Sequence, residues 1–252
     1  MTKTKFSICT TNYNCAHALQ QHLDSVYALF DENEFEYIVV DNKSKDRSIE
    51  ILRDNQKKHS NMTVLSEKCT MGKGRQIAFG HSTSSHIVVI DTDTVYSLKC
   101  KNFIDICLEK YPDTAIQALL CAVIPRDIWE KVGGRRNLNV NEDFDMWMRI
   151  WKIGKMKWCA VSMGENLKDD KASSSADYLS VRYGKFEKFQ RLIKREIDLL
   201  KTRKYKKYDF KAIYRENLLD LGLGLEEQWF GEGSKELWLV KFGRNIIQIL
   251  KS

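Results

Sequence analysis

The sequence predicts an α/β protein with a central, mostly parallel sheet flanked by helices, followed by a helical C-terminal extension. Three apolar runs each end in polar side chains and lead into a helix-period pattern. Such alternation implies right-handed crossovers and parallel strands, so the three polar ends fall on one edge of the sheet. The 252 residues are 43% hydrophobic, enough for a substantial core in one domain plus an extension.

The elements follow in order. Phe6-Ser7-Ile8-Cys9 reads as a strand running into Thr10-Thr11-Asn12-Tyr13-Asn14, and Leu19, Leu23, Val26, Tyr27 and Phe30 then recur at helical spacing. Phe35-Glu36-Tyr37-Ile38-Val39-Val40 is the second strand. It ends in Asp41-Asn42-Lys43-Ser44-Lys45-Asp46, where Ser44 and Asp46 suit a helix N-cap ahead of Ile49 and Leu52. Thr70-Met71-Gly72-Lys73-Gly74-Arg75-Gln76 sets two glycines around a lysine before the helical positions Ile77, Ala78 and Phe79. There the glycines would let the backbone approach a diphosphate, opposed by Lys73, Arg75 and the helix N-terminus.

Ile87-Val88-Val89-Ile90 suits a strand buried on both faces, and it ends in Asp91-Thr92-Asp93. Paired carboxylates at a strand's C-terminal end suit Mg²⁺ or Mn²⁺ bridging to substrate phosphates. Asp and Thr are also common wherever a strand gives way to a turn. In Asn141-Glu142-Asp143-Phe144-Asp145, helical spacing of Trp147, Ile150 and Trp151 places Glu142 and Asp143 in a first helical turn, where the dipole favours acids. Three acids exceed what capping needs, and transfer to a hydroxyl requires a positioned general base.

In this order the segments resemble the family 2 glycosyltransferases, inverting enzymes of the GT-A nucleotide-binding fold that use nucleoside-diphosphate sugars. The resemblance covers roughly residues 5 to 160. It rests on the three strand ends, Gly72-Lys73-Gly74-Arg75, Val132-Gly133-Gly134 and Glu142-Asp143. It implies that Thr10, Asn12 and Tyr13 line a nucleoside pocket and that Asp41 accepts from the base. It also implies that Asp91 and Asp93 serve the ribose and a Mn²⁺- or Mg²⁺-bound diphosphate, with Lys73 or Arg75 beside it. Asp143 would be the catalytic base and Glu142 its neighbour. Only 27 residues separate Asp93 from Cys121, where the family carries a longer insert. The acceptor side is then small or is built by the C-terminal region, and the acceptor itself would be a glycan hydroxyl or a lipid-linked phosphate.

Other classes find less support. Seven cysteines without Cys-x-x-Cys indicate neither zinc nor a disulfide framework, and no Gly-x-Ser-x-Gly supports a hydrolase triad. A sugar-phosphate nucleotidylyltransferase should carry a glycine-rich N-terminal signature where Thr10-Thr11-Asn12-Tyr13 stands. A nucleic-acid-binding protein would leave the acidic strand ends unexplained, since carboxylates repel phosphate. A non-catalytic scaffold sits poorly with Asp91, Asp93 and Asp143 all in place. No apolar run approaches ~18 residues and the first residues lead straight into a strand, which predicts a cytoplasmic protein.

The division falls between a catalytic domain, residues 1 to 165, and a C-terminal region, residues 166 to 252. Lys157-Trp158-Cys159-Ala160-Val161 reads as a last strand, and the serine-rich stretch 168 to 175 as a linker or a lid over bound donor. Arg182 to Lys211 holds twelve Lys or Arg against four acids, a net of +8, while the rest of the chain sums to −1. Phe186, Phe189, Leu192, Ile193, Ile197 and Leu200 give this segment an apolar stripe. It would either lie on an anionic membrane at the inner face of the cell or pack on the catalytic domain with its basic face in water. A second apolar helix pattern, Leu237 to Leu250, ends the chain.

Overall fold

In a computed structural model the described residues are 4–167, 190, 193–194, 197–205 and 207–224. Seven strands form one sheet: β1 (Phe6–Asn12), β2 (Phe35–Asp41), β3 (Met62–Ser66), β4 (His86–Ile90), β6 (Ala115–Leu119), β7 (Cys121–Pro125) and β8 (Met156–Ser162). Their spatial order is β3-β2-β1-β4-β7-β6-β8. β1 pairs in parallel with β2 and β4, β2 with β3, and β6 with β8; only β7 runs antiparallel to its neighbours. The three strands with polar ends are therefore adjacent and point the same way, as the alternation of elements predicts. β5 (Thr94–Tyr96) and β9 (Gly164–Asn166) make a separate two-stranded ribbon, so the strand at 157–161 is not the last.

Six helices cover the sheet: α1 (Ala16–Leu29), α2 (Ser48–Lys58) and α4 (Leu98–Lys110) on one face, α3 (Met71–Gly80), α5 (Arg126–Lys131) and α6 (Glu142–Lys152) on the other. The central strands alternate between the two cores, with Tyr37, Val39, Val88 and Ile90 facing one and Ile38, Val40, Ile87 and Val89 the other. Burial on both faces explains their unbroken apolar runs. Asp46 joins the first two crossovers, its Oδ2 accepting from Ala16 N (2.9 Å) and its Oδ1 from Ser48 N (3.0 Å).

The C-terminal region is partly built onto this body. α7 (Phe210–Glu216) leads to a bridge between Leu218 and Trp158, closed by Trp158 N to Asn217 O (2.9 Å) and Leu219 N to Trp158 O (2.8 Å). Phe144, Tyr205 and Phe210 stack edge to face at 5.7 and 4.6 Å, adding a small core of their own. The serine-rich stretch 168–175, the basic segment before Gln190 with Phe186 and Phe189, Leu192, and the apolar pattern Leu237 to Leu250 lie outside the described residues. No helix among the described residues is long and apolar enough to cross a membrane.

Candidate active site

A cavity of about 240 Å³ opens where β1, β2 and β4 end. Asn12, Tyr13, Arg75, Asp91, Asp93 and Asp143 line it, together with residues the sequence did not single out, among them Thr11, Asn42, Thr92, Asn139 and Asn166. The site thus stands in the crevice at the carboxyl ends of parallel strands, where open α/β sheets bind ligands.

Four expected site residues do not face this cavity. Thr10 is fully buried and donates to Ile90 O at 2.7 Å, tying β1 to β4. Strand alternation leaves the next residue, Thr11, on the cavity wall. Asp41 is also buried, accepting from Asn12 Nδ2 (2.9 Å), Ser44 N (2.9 Å) and Ser44 Oγ (2.5 Å). Its carboxylate organises the loop after β2, and the neighbouring Asn42 reaches the wall. Lys73 turns outward to Glu67 Oε1 at 2.7 Å. Glu142 is buried behind Asp143.

The glycines around Lys73 also serve another purpose than the one expected. A Cβ on Gly72 would lie 2.1 Å from Arg136 O, and one on Gly74 2.4 Å from Thr11 Cγ2. They bring α3 against β1 and against the loop ahead of α6, where Gly72 N donates to Leu138 O at 3.1 Å. That close approach carries Arg75 into the middle of an ion cluster. Its Nη2 meets Asp91 Oδ1 at 2.6 Å, and its Nη1 meets Glu142 Oε1 at 2.7 Å and Asp143 Oδ1 at 3.1 Å. Arg135, equally buried, grips Asp143 from the other side.

Burial and the adjacent Asp143 charge push the Glu142 carboxyl up to about 8. Burial also penalises Asp143, but the charges of Arg135 and Arg75 outweigh it and hold that carboxyl below its ordinary range. With Glu142 protonated, two guanidiniums face two carboxylates and the cluster is neutral. Asp143 is partly exposed on the wall and, with Asp91, presents a carboxylate of the cluster to the cavity.

Two positions escaped the sequence reading because their signal is spatial. Gln76 Oε1 accepts from Trp129 Nε1 (3.0 Å) and Arg135 N (2.8 Å), and so places Arg135 beside Asp143. Asp198 Oδ2 accepts from Asn139 N (2.8 Å) and Val140 N (3.3 Å), securing the loop that delivers Glu142 and Asp143.

The family model for glycosyl transferase family 2 matches residues 7–153, more than half of the chain. The chain belongs to this family. Among solved structures it is similar to the mannosyltransferase PcManGT of Pyrobaculum calidifontis in complex with GDP-Man and Mn²⁺, with TM-score 0.55 and 15% identity over 76% of this chain and 64% of that one. It is also similar to residues 1–349 of S. aureus TarS in complex with UDP-GlcNAc, with TM-score 0.59 and 14% identity over 67% of this chain and 60% of that one. The fold is therefore of the GT-A type, and this chain spans less than two thirds of the length of either relative. No curated protein sequence matches it.

The wall also bears on a metal. Its charged side chains are Arg75 against Asp91, Asp93 and Asp143, and Arg75 is already engaged by carboxylates. Asp93 is partly exposed and accepts from Asn166 Nδ2 at 3.0 Å. Among the described residues no three His, Cys, Asp or Glu side chains converge to enclose an ion. One or two hard carboxylates at an open wall are the donor set that Mg²⁺ or Mn²⁺ uses when it shares substrate phosphates. The residues fit such an ion.

Proposed function

We propose that this protein transfers a sugar, with inversion, from a nucleoside-diphosphate sugar to a glycan hydroxyl or lipid-phosphate acceptor in the cytoplasm, with Mn²⁺ or Mg²⁺ as cofactor. The observation that carries the reading is the acidic wall. Among the described residues Asp91 and Asp143 are balanced by Arg75 and Arg135, so Asp93 leaves the wall net negative with no uncommitted cation lining it to meet a diphosphate, which calls for a cation bound with the substrate.

Asp93, with Asp91 beside it, would hold the ion. When bound, the metal neutralises charge on the leaving diphosphate. Asn12, Tyr13 and Asn42 line the end of the cavity formed by β1 and β2 and would receive the nucleoside. With a hydroxyl acceptor Asp143 takes the proton as the oxygen attacks opposite the leaving group, through a transition state of oxocarbenium character, whereas an ionised lipid phosphate attacks without needing that base. Arg75 and Arg135 orient that carboxylate. Their charges also make it a weak base until an acceptor displaces part of the pairing.

A donor-hydrolysis screen of UDP-, GDP- and dTDP-sugars with Mn²⁺ tests this, followed by Asp93→Ala. The expected result is metal-stimulated release of the nucleoside diphosphate from one donor class, lost in the variant while its Tm holds. Full turnover in EDTA, or in Asp93→Ala, overturns the metal assignment.

A further inference from the structure

The segment Ile193 to Tyr205 is amphipathic in the opposite sense to an ordinary surface helix. Among its described residues the buried side chains are Asp198 (2% exposed), Thr202 (6%) and Tyr205 (1%), whereas Ile193, Ile197 and Leu200 stand 49%, 47% and 68% exposed. At 100° per residue Ile193, Ile197 and Leu200 fall on one narrow stripe, opposite Thr202. The inward polar face is satisfied. Asp198 binds the backbone at 139 and 140, Thr202 Oγ1 donates to Asp198 O at 3.0 Å, and Tyr205 Oη donates to Asp145 Oδ1 at 2.9 Å. The outward stripe is left in water, and clustered large aliphatic side chains on a surface mark a contact.

Charge identifies the occupant. Lys194, Lys201, Arg203, Lys204 and Lys207 are all exposed along the same stretch, inside the segment of net charge +8. An apolar stripe flanked by lysines and arginine matches the interface of an anionic bilayer, with acyl chains for the stripe and headgroup phosphates for the cations. We propose that the face carrying Ile193, Ile197 and Leu200, flanked by Lys194, Lys204 and Lys207, is a docking surface for an anionic lipid membrane. The same helix holds the loop of Glu142 and Asp143 from its other face, so docking sets the catalytic loop beside the bilayer. That last step, delivery of a lipid-linked acceptor, rests on the transfer reading above; the docking itself does not.

The test is co-sedimentation of the full chain with phosphatidylcholine vesicles, with and without phosphatidylglycerol, at low and high salt. The same measurements follow on I197S/L200S and on K194E/K204E. The expected result is pelleting that requires phosphatidylglycerol, weakens with salt as the Debye length shrinks, and falls about tenfold or more in either variant. Metal-stimulated donor hydrolysis in solution should be unchanged, since neither pair touches the cavity. Equal pelleting by parent and variants, or none at low salt, overturns the proposal. So does a parent dimer in sedimentation velocity that I197S/L200S dissociates, which would assign the stripe to a second copy. Absence of donor hydrolysis in the parent counts against the transfer reading alone, because vesicle binding is read without it.

Discussion

The two walls of the cavity are held by different kinds of interaction. On the donor side, Asn12, Asp41 and Ser44 are joined at the ends of strands already in register: Asn12 bonds across from β1 to Asp41 and Ser44, and Ser44 closes the loop after β2 onto Asp41. On the catalytic side, Asp143 and Asp145 depend on Arg75, Arg135, Asp198 and Tyr205, drawn from α3, the loop before α6 and the C-terminal region. The first wall follows from strand pairing and survives the loss of one bond. The second is a charge balance, and one change unbalances it.

The largest effect should be catalytic. Asp143→Asn is expected to lower transfer to a hydroxyl ~100 to 10,000-fold while nucleotide-sugar binding persists. Asn keeps the size of the side chain and can still meet the Glu142 carboxyl, so the chain should fold. Glu142→Gln should be nearly silent in rate, because burial already keeps that carboxyl protonated near neutral pH. If Glu142→Gln is the dead variant and Asp143→Asn is active, the two roles are reversed.

Stability gives a sharper contrast. Arg75→Met removes the buried cation shared by Asp91, Glu142 and Asp143; because Glu142 is neutral, the two aspartates stand nearly half exposed and Arg135 stays on Asp143, the loss should be about 2–3 kcal/mol. Asn12→Ala on the donor side removes its bonds to Asp41, Ser44 and Thr92, but Asp41 and Ser44 still satisfy each other, and it should cost about 1–2 kcal/mol. Urea unfolding of both variants measures the difference. Equal losses would show that the walls do not differ as described.

A pH effect should arise away from both walls. His22 is fully buried, with Nδ1 2.8 Å from Thr94 O and Nε2 2.7 Å from Tyr37 Oη, and burial lowers it to about 4. Its folded value lies below the ordinary 6.5, so between those values the unfolded chain binds the extra proton. Stability from this group is therefore full above pH 6.5 and is lost toward pH 4, by at most about 3 kcal/mol. In His22→Gln the fall of Tm over that window should flatten; an unchanged slope assigns the acid sensitivity elsewhere.

The smallest effect tests the reach of the C-terminal region. Tyr205→Phe removes the bond to Asp145, which keeps Arg149 Nη2 at 2.8 Å and Arg136 Nη1 at 3.1 Å. A loss of about 1 kcal/mol is expected, with kcat lowered and donor KM unchanged. A change in donor KM alone would place Tyr205 with the donor wall instead.

Much of the donor side was legible because its information is local. Apolar runs such as Ile87 to Ile90, ending in polar residues and followed by helix-period patterns, specify parallel strands, and parallel strands bring their ends together. Family membership could be read from the order of those same pieces. Asn12, Tyr13, Arg75, Asp91, Asp93 and Asp143 reach the cavity as expected, but which of two similar neighbours does so was not legible. Thr10 and Thr11, or Glu142 and Asp143, are alike in chemistry and one residue apart, and only backbone direction sends one inward and the other to the wall. The reuse of Gly72 and Gly74 for helix packing, the charge balance around Arg75, and the inverted face of Ile193 to Tyr205 likewise depend on groups about 60 or more positions apart. Pattern along a chain determines which elements form and in what order; the partners of a buried charge are decided where those elements meet, because the cost of leaving it unpaired is paid in three dimensions.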